Sequence, residues 1–274
     1  MGAMKQLKLY IPTCDSYLWL IKPFMYLFNK FGPESMQVIY LGYNPPTFEL
    51  PDNCSFVSLG KDDDIKNWSK DLNRYFSSID DEYIIMTMDD AFLVDSTNMD
   101  LYNKMIKYLE LTKNNVGRIG LERDLATRPH HYYDTIDGTD LVVASNVAEN
   151  RISCRWSIWK TEYILQFLTE GRTPWTFESE GTKQSINDGY DIISTALLDP
   201  ISPPDNAIIY NTNVIWRSWY KQYNRLNFHS SAHASDKSLD ANIISDMKNK
   251  GIIPKDSDCG MIIERQWVKI EGTI

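Results

Sequence analysis

Tyr83-Ile84-Ile85-Met86-Thr87-Met88-Asp89-Asp90-Ala91-Phe92-Leu93 is an apolar run of strand character that stops at two adjacent carboxylates. A buried strand that delivers acidic groups to its C-terminal end is where open α/β sheets place ligand and metal sites. Two carboxylates held side by side oppose each other's ionisation, so the pair is costly without a cation or another positive partner. The stretch reads either as a divalent-metal site with a phosphate-bearing ligand beyond it, or as an acidic turn closing a strand.

On its N-terminal side the chain alternates strand and helix. Gln6 to Ile11 alternates apolar and polar residues and predicts a first strand, followed by a turn in which Asp15 or Ser16 can cap the next helix. That helix, about Tyr17 to Phe31, ends at Gly32-Pro33. Met36 to Leu41 and Cys54 to Leu59 predict two more strands, separated by Asn44-Pro45-Pro46. Ile65, Trp68, Leu72, Phe76 and Ile79 recur at helical spacing within Asp62 to Ile79. This order is an α/β signature with a mainly parallel sheet, in which Asp15 and Asp90, each following a strand, line one crevice.

On the C-terminal side a helix is expected over Asn98 to Leu111, with strands over Val116 to Leu121 and Leu141 to Ser145. Glu122 to Asp140 between them is polar, rich in His, Tyr and Asp, and without clear period, which reads as a functional loop. His130-His131 lacks a metal-ligand spacing and fits a surface or acceptor contact. Ser153 to Trp159 predicts a strand and Thr161 to Thr169 a helix closed by Gly171. Pro174-Trp175-Thr176-Phe177-Glu178 reads as an aromatic turn. An acid in such a partly apolar setting suits a general base; otherwise the aromatics anchor the turn and Glu178 is solvated or caps a helix. Beyond it come a strand at Ala207 to Tyr210, a helix at Leu239 to Lys250 and a last strand at Met261 to Ile270. His229 and His233 are four apart but lack helical context, so a single active-site histidine is the reading kept.

Composition bounds the function. The 274 residues are 43% hydrophobic and 24% charged, an ordinary globular balance. A net charge of −9 disfavours nucleic-acid binding, which needs clustered Lys and Arg. No run approaches the ~18 apolar residues of a membrane span. The four cysteines are scattered without metal or disulfide spacing, as expected of reduced thiols in a cytoplasmic protein. Eight Trp and sixteen Tyr serve a large core or stack on sugars and bases. Met1-Gly2-Ala3 is set aside as an addition ahead of Met4.

Four stretches taken together resemble nucleotide-sugar-dependent glycosyltransferases of the GT-A type, found in bacterial surface-polysaccharide and lipopolysaccharide loci and in some phages and large viruses. They are Thr13-Cys14-Asp15-Ser16-Tyr17; Trp68-Ser69-Lys70 with Leu72, leading to Glu82-Tyr83-Ile84-Ile85 and Asp89-Asp90-Ala91-Phe92-Leu93; Ser157 to Leu165; and Pro174 to Glu178. The match runs over roughly Leu7 to Gly181. It implies a single GT-A domain over 4–274, with about 4–120 binding the nucleotide sugar and about 121–274 holding the acceptor half and a C-terminal extension.

The resemblance also implies roles. Thr13, Asp15 and Asp89 lie by the donor nucleotide, and Asp62 to Ile79 borders its base. Asp90, with Asp89, holds Mn²⁺ or Mg²⁺ against the diphosphate. Glu178 is the general base on a glycan or lipid-linked acceptor, giving inversion. Arg155, Lys160 or Arg217 assist the leaving group, and Trp175 and His229 complete the candidate set. The family motif is Asp-x-Asp, whereas here the acids are adjacent. On a strand they would point to opposite faces and only one would ligate, unless the chain has already turned. A metal-independent enzyme stays open, as do a metal-dependent phosphoester hydrolase and a noncatalytic carbohydrate-binding protein on a degenerate transferase scaffold.

Overall fold

The computed structural model describes residues 7–111, 115–122, 125, 128–195, 224–228, 238–263 and 266–270. Its centre is a nine-stranded sheet. In chain order the strands are β1 (Leu9–Pro12), β2 (Val38–Gly42), β3 (Cys54–Ser58), β4 (Tyr83–Met86), β5 (Val116–Gly120), β6 (His130–Ile136), β7 (Thr139–Ala144), β8 (Ser157–Lys160) and β9 (Asp191–Thr195). Across the sheet they lie in the order β3-β2-β1-β4-β8-β5-β9-β7-β6. β3, β2, β1 and β4 are parallel, as are β5 and β9, whereas β8 runs against both β4 and β5. The α/β class stands, with a mixed sheet.

Alternation along the strands sends side chains to two apolar layers. Leu9, Ile11, Ile85, Trp156 and Ile158 face one, which contains α1 (Ile21–Phe31) and α3 (Met99–Leu111). Tyr10, Ile84, Met86 and Trp159 face the other, with α2 (Trp68–Phe76), α4 (Thr161–Leu165) and α5 (Pro174–Gln184). Fully burying a side chain such as Phe24 or Ile85 contributes roughly 1.5–3 kcal/mol. A smaller sheet of β10 (Arg225–Asn227), β11 (Asp258–Ile263) and β12 (Gln266–Lys269) follows, with α6 (Ala241–Asn249). The Tyr26 hydroxyl on α1 donates to Asp246 on α6 at 2.5 Å, tying these parts together. Among the described residues no helix is long and apolar enough to cross a membrane.

Four expectations change. The stretch expected as a loop contains β6, an edge strand whose mostly exposed residues give no alternation to read. β9 was not anticipated. Pro174 does not break the chain in an aromatic turn but starts α5 at its first position, where its missing N–H costs nothing. Met261 to Ile270 is not one strand, because β11 and β12 pair antiparallel within it. The strand expected at 207–210 lies outside the described residues.

Candidate functional site

The C-terminal ends of β1, β2, β4 and β5 share one edge of the sheet. Because β8 is reversed, with Ser157 opposite Met86 and Lys160 opposite Tyr83, the segment entering β8 also arrives at that edge. Topology therefore gathers Thr13, Asn44, Asp89, Asp90, Glu122 and residues 153–155.

The two acids do not continue β4. The Ala91 N–H donates to the Met88 carbonyl at 3.2 Å, so Asp89 and Asp90 are the central pair of a turn. Opposite-face geometry for a strand thus does not apply. Asp89 is 3% exposed and accepts from the Thr13 hydroxyl at 2.6 Å, whereas Asp90 is half-buried. Burial, then the neighbouring Asp90, push the Asp89 carboxyl well above the usual range, with the Thr13 hydrogen bond opposing. The turn is pinned from below: Trp156, stacked on Phe24 and Phe28, donates its indole N–H to the Ala91 carbonyl at 3.0 Å.

Asp15 does not cap the 3-10 turn that precedes α1. Its carboxylate accepts from both the backbone and side-chain nitrogens of Asn44, and its own N–H donates to Asp62 at 2.9 Å. It therefore clamps the loops after β1 and β2 to the start of the α2 region.

Glu178 sits one turn into α5. Its Oε1 accepts from the Ser153 hydroxyl at 3.0 Å and from the Cys154 N–H at 2.8 Å, and its other oxygen has no hydrogen bond among the described residues. Thr182 on the same helix and Ser185 at its C-cap bond Ile152 and the buried Arg151, fixing α5 along residues 151–154. Cys154 lies against Glu178. Burial, then Glu178 and to a smaller extent Asp90, push its thiol well up, while Arg118 opposes. Both carboxylates are within electrostatic reach of one buried thiol.

The other candidates separate. Arg155 stays at this edge and donates to the buried Glu122 at 3.1 Å. Lys160 lies at the opposite end of β8, paired with Glu162 at 2.6 Å, and the structure does not bring it to the acids. Trp175 lies on α5 beside Glu178 and is 55% exposed. His130 bonds the Arg128 carbonyl on the edge strand. His229, His233 and Arg217 lie outside the described residues. Sequence reasoning did not single out Ser153, the Cys154 N–H or Glu122. A backbone donor leaves no trace in residue spacing, and Glu122 was visible only as the first residue of a polar stretch.

Two carboxylates on one turn fit a hard cation that takes one or two protein acids and fills its shell with phosphate oxygens and water. They do not fit a closed protein cage, because among the described residues no group of three His, Cys, Asp or Glu forms one.

No family model matches the sequence, and no curated protein does. Similar solved structures include the apo form of the bifunctional glycosyltransferase WbbM, at 5% identity and a TM-score of 0.35, covering 61% of this chain and 33% of that one. Another is S. aureus TarS, at 11% identity and a TM-score of 0.44, covering 79% and 38%. The chain thus spans well under half the length of either. Overlaps this loose say nothing about chemistry.

Proposed function

We propose that the chain is a GT-A type glycosyltransferase that moves a sugar from a nucleotide diphosphate sugar to a hydroxyl of a glycan or lipid-linked acceptor. One observation carries this reading: reversal of β8 brings the 153–154 segment that holds Glu178 to the same C-terminal edge of the sheet as the Asp89-Asp90 turn. An acidic turn suited to a cation-bound diphosphate then lies beside an acid suited to a hydroxyl proton.

In this mechanism Thr13 orients Asp89, and Asp15 with Asn44 shapes the donor cleft. Mn²⁺ or Mg²⁺ held by Asp90 and Asp89 would neutralise charge on the departing diphosphate. Ser153 and the Cys154 N–H fix Oε1 of Glu178, so the other oxygen takes the acceptor proton. The acceptor oxygen forms a bond to the anomeric carbon as the bond to the donor phosphate breaks, inverting that carbon. A two-metal hydrolase would need further ligands, and the described residues offer none.

Thermal unfolding with a panel of UDP-, GDP- and dTDP-sugars in Mn²⁺ tests the reading. One donor is expected to raise Tm through binding to the folded state. No shift with any of them would overturn it.

A further inference from the structure

Among the described residues, Trp175 is the largest of the exposed apolar side chains. Its backbone is fixed. Thr173 and Thr176 form a capping box, Pro174 occupies the first helical position, and Phe177 is buried against Trp68 and Trp159 at 5.5 and 6.2 Å. Arg172 holds the approach to the helix through the Phe167 carbonyl, Glu180 and Gln184. Three residues apart on a helix, Trp175 and Glu178 project about 60° apart with a rise of about 4.5 Å. Glu178 faces the 153–154 segment, and the indole flanks it one turn nearer the helix start.

We propose that Trp175 is the acceptor platform, stacking its indole on the C–H face of a pyranose whose hydroxyl is offered to Glu178. The acceptor class is thereby a glycan residue and not an acyclic alcohol or a lipid hydroxyl. A pyranose presents a flat patch of C–H bonds that an aromatic face desolvates, whereas an acyclic polyol presents none. Trp175 is a positioning residue, and the inference rests on the reading of Glu178 as the base.

Saturation-transfer NMR without donor tests it, using methyl β-glucopyranoside and methyl β-galactopyranoside as probes and sorbitol as control. Transfer to the ring C–H protons of at least one pyranoside is expected, with none to sorbitol. Trp175→Ala should reduce it by roughly tenfold, the factor that about 1.4 kcal/mol of stacking represents. Trp175→Phe should restore most of it, and Glu178→Gln should leave it in place. Equal transfer in Trp175→Ala, equal transfer to sorbitol, or none to either pyranoside overturns the proposal. Since no donor is present, a Trp175-dependent signal together with no donor turnover would keep the platform and remove the transferase reading.

Discussion

At the scale of single residues, Asp89 sits in a setting that opposes its charge. It is buried beside another carboxylate and has the Thr13 hydroxyl as hydrogen-bond donor. An aspartate titrates near ~3.9 in the unfolded chain, while burial and Asp90 raise it in the fold. The folded state therefore binds more protons over the interval above that value, and stability falls as pH rises through it. Asp89→Asn removes this loss. In chelator-containing buffer the variant's Tm relative to the parent should climb from pH 4 to pH 8; a difference flat with pH would refute the buried-carboxylate account. The acidity of this pair was legible in the sequence, because two acids closing an apolar run stand out. Their geometry was not, since a turn set by one Ala91-to-Met88 hydrogen bond leaves no mark in residue type.

At the scale of elements, the loop after β4 is held by a neighbouring strand's approach. Trp156 fills the space against Phe24 and Phe28 and also satisfies the Ala91 carbonyl. Trp156→Phe keeps an aromatic there but removes the donor and leaves a buried carbonyl unpaired, which costs roughly 1–3 kcal/mol. Urea unfolding should show that loss, and unchanged stability would mean the hydrogen bond does not anchor the turn. β1, β2, β4, α1 and α2 were readable because each buries a face and so alternates or recurs. β6 was not, because among the described residues it pairs with β7 alone and exposes most of its side chains. α5 was hidden because, of its own residues, only Phe177 and Gly181 are buried, and Pro174 to Glu178 read as an aromatic turn where Pro174 starts a helix. Glu178 was found through a motif, but its holders were found only through the fold.

At the scale of the whole molecule, reversal of β8 decides which charges meet. It carries Ser153 to Arg155 to the acidic edge and Lys160 to the far one. Lys160 is bound to Glu162 beside Tyr190 on the surface, and exposed pairs contribute at most about 1 kcal/mol. Lys160→Ala should leave turnover within about twofold in a steady-state assay, since it lies outside the site. A large loss of kcat would contradict this topology of the active edge. The most direct measurement of the central claim pairs donor titration with single-turnover transfer in Glu178→Gln. The amide keeps an oxygen for Ser153 and the Cys154 N–H but cannot take a proton. Donor affinity should stay within about threefold of the parent while transfer falls by at least about a hundredfold, the scale of general-base catalysis. Transfer at the parent rate with intact donor binding would contradict the account.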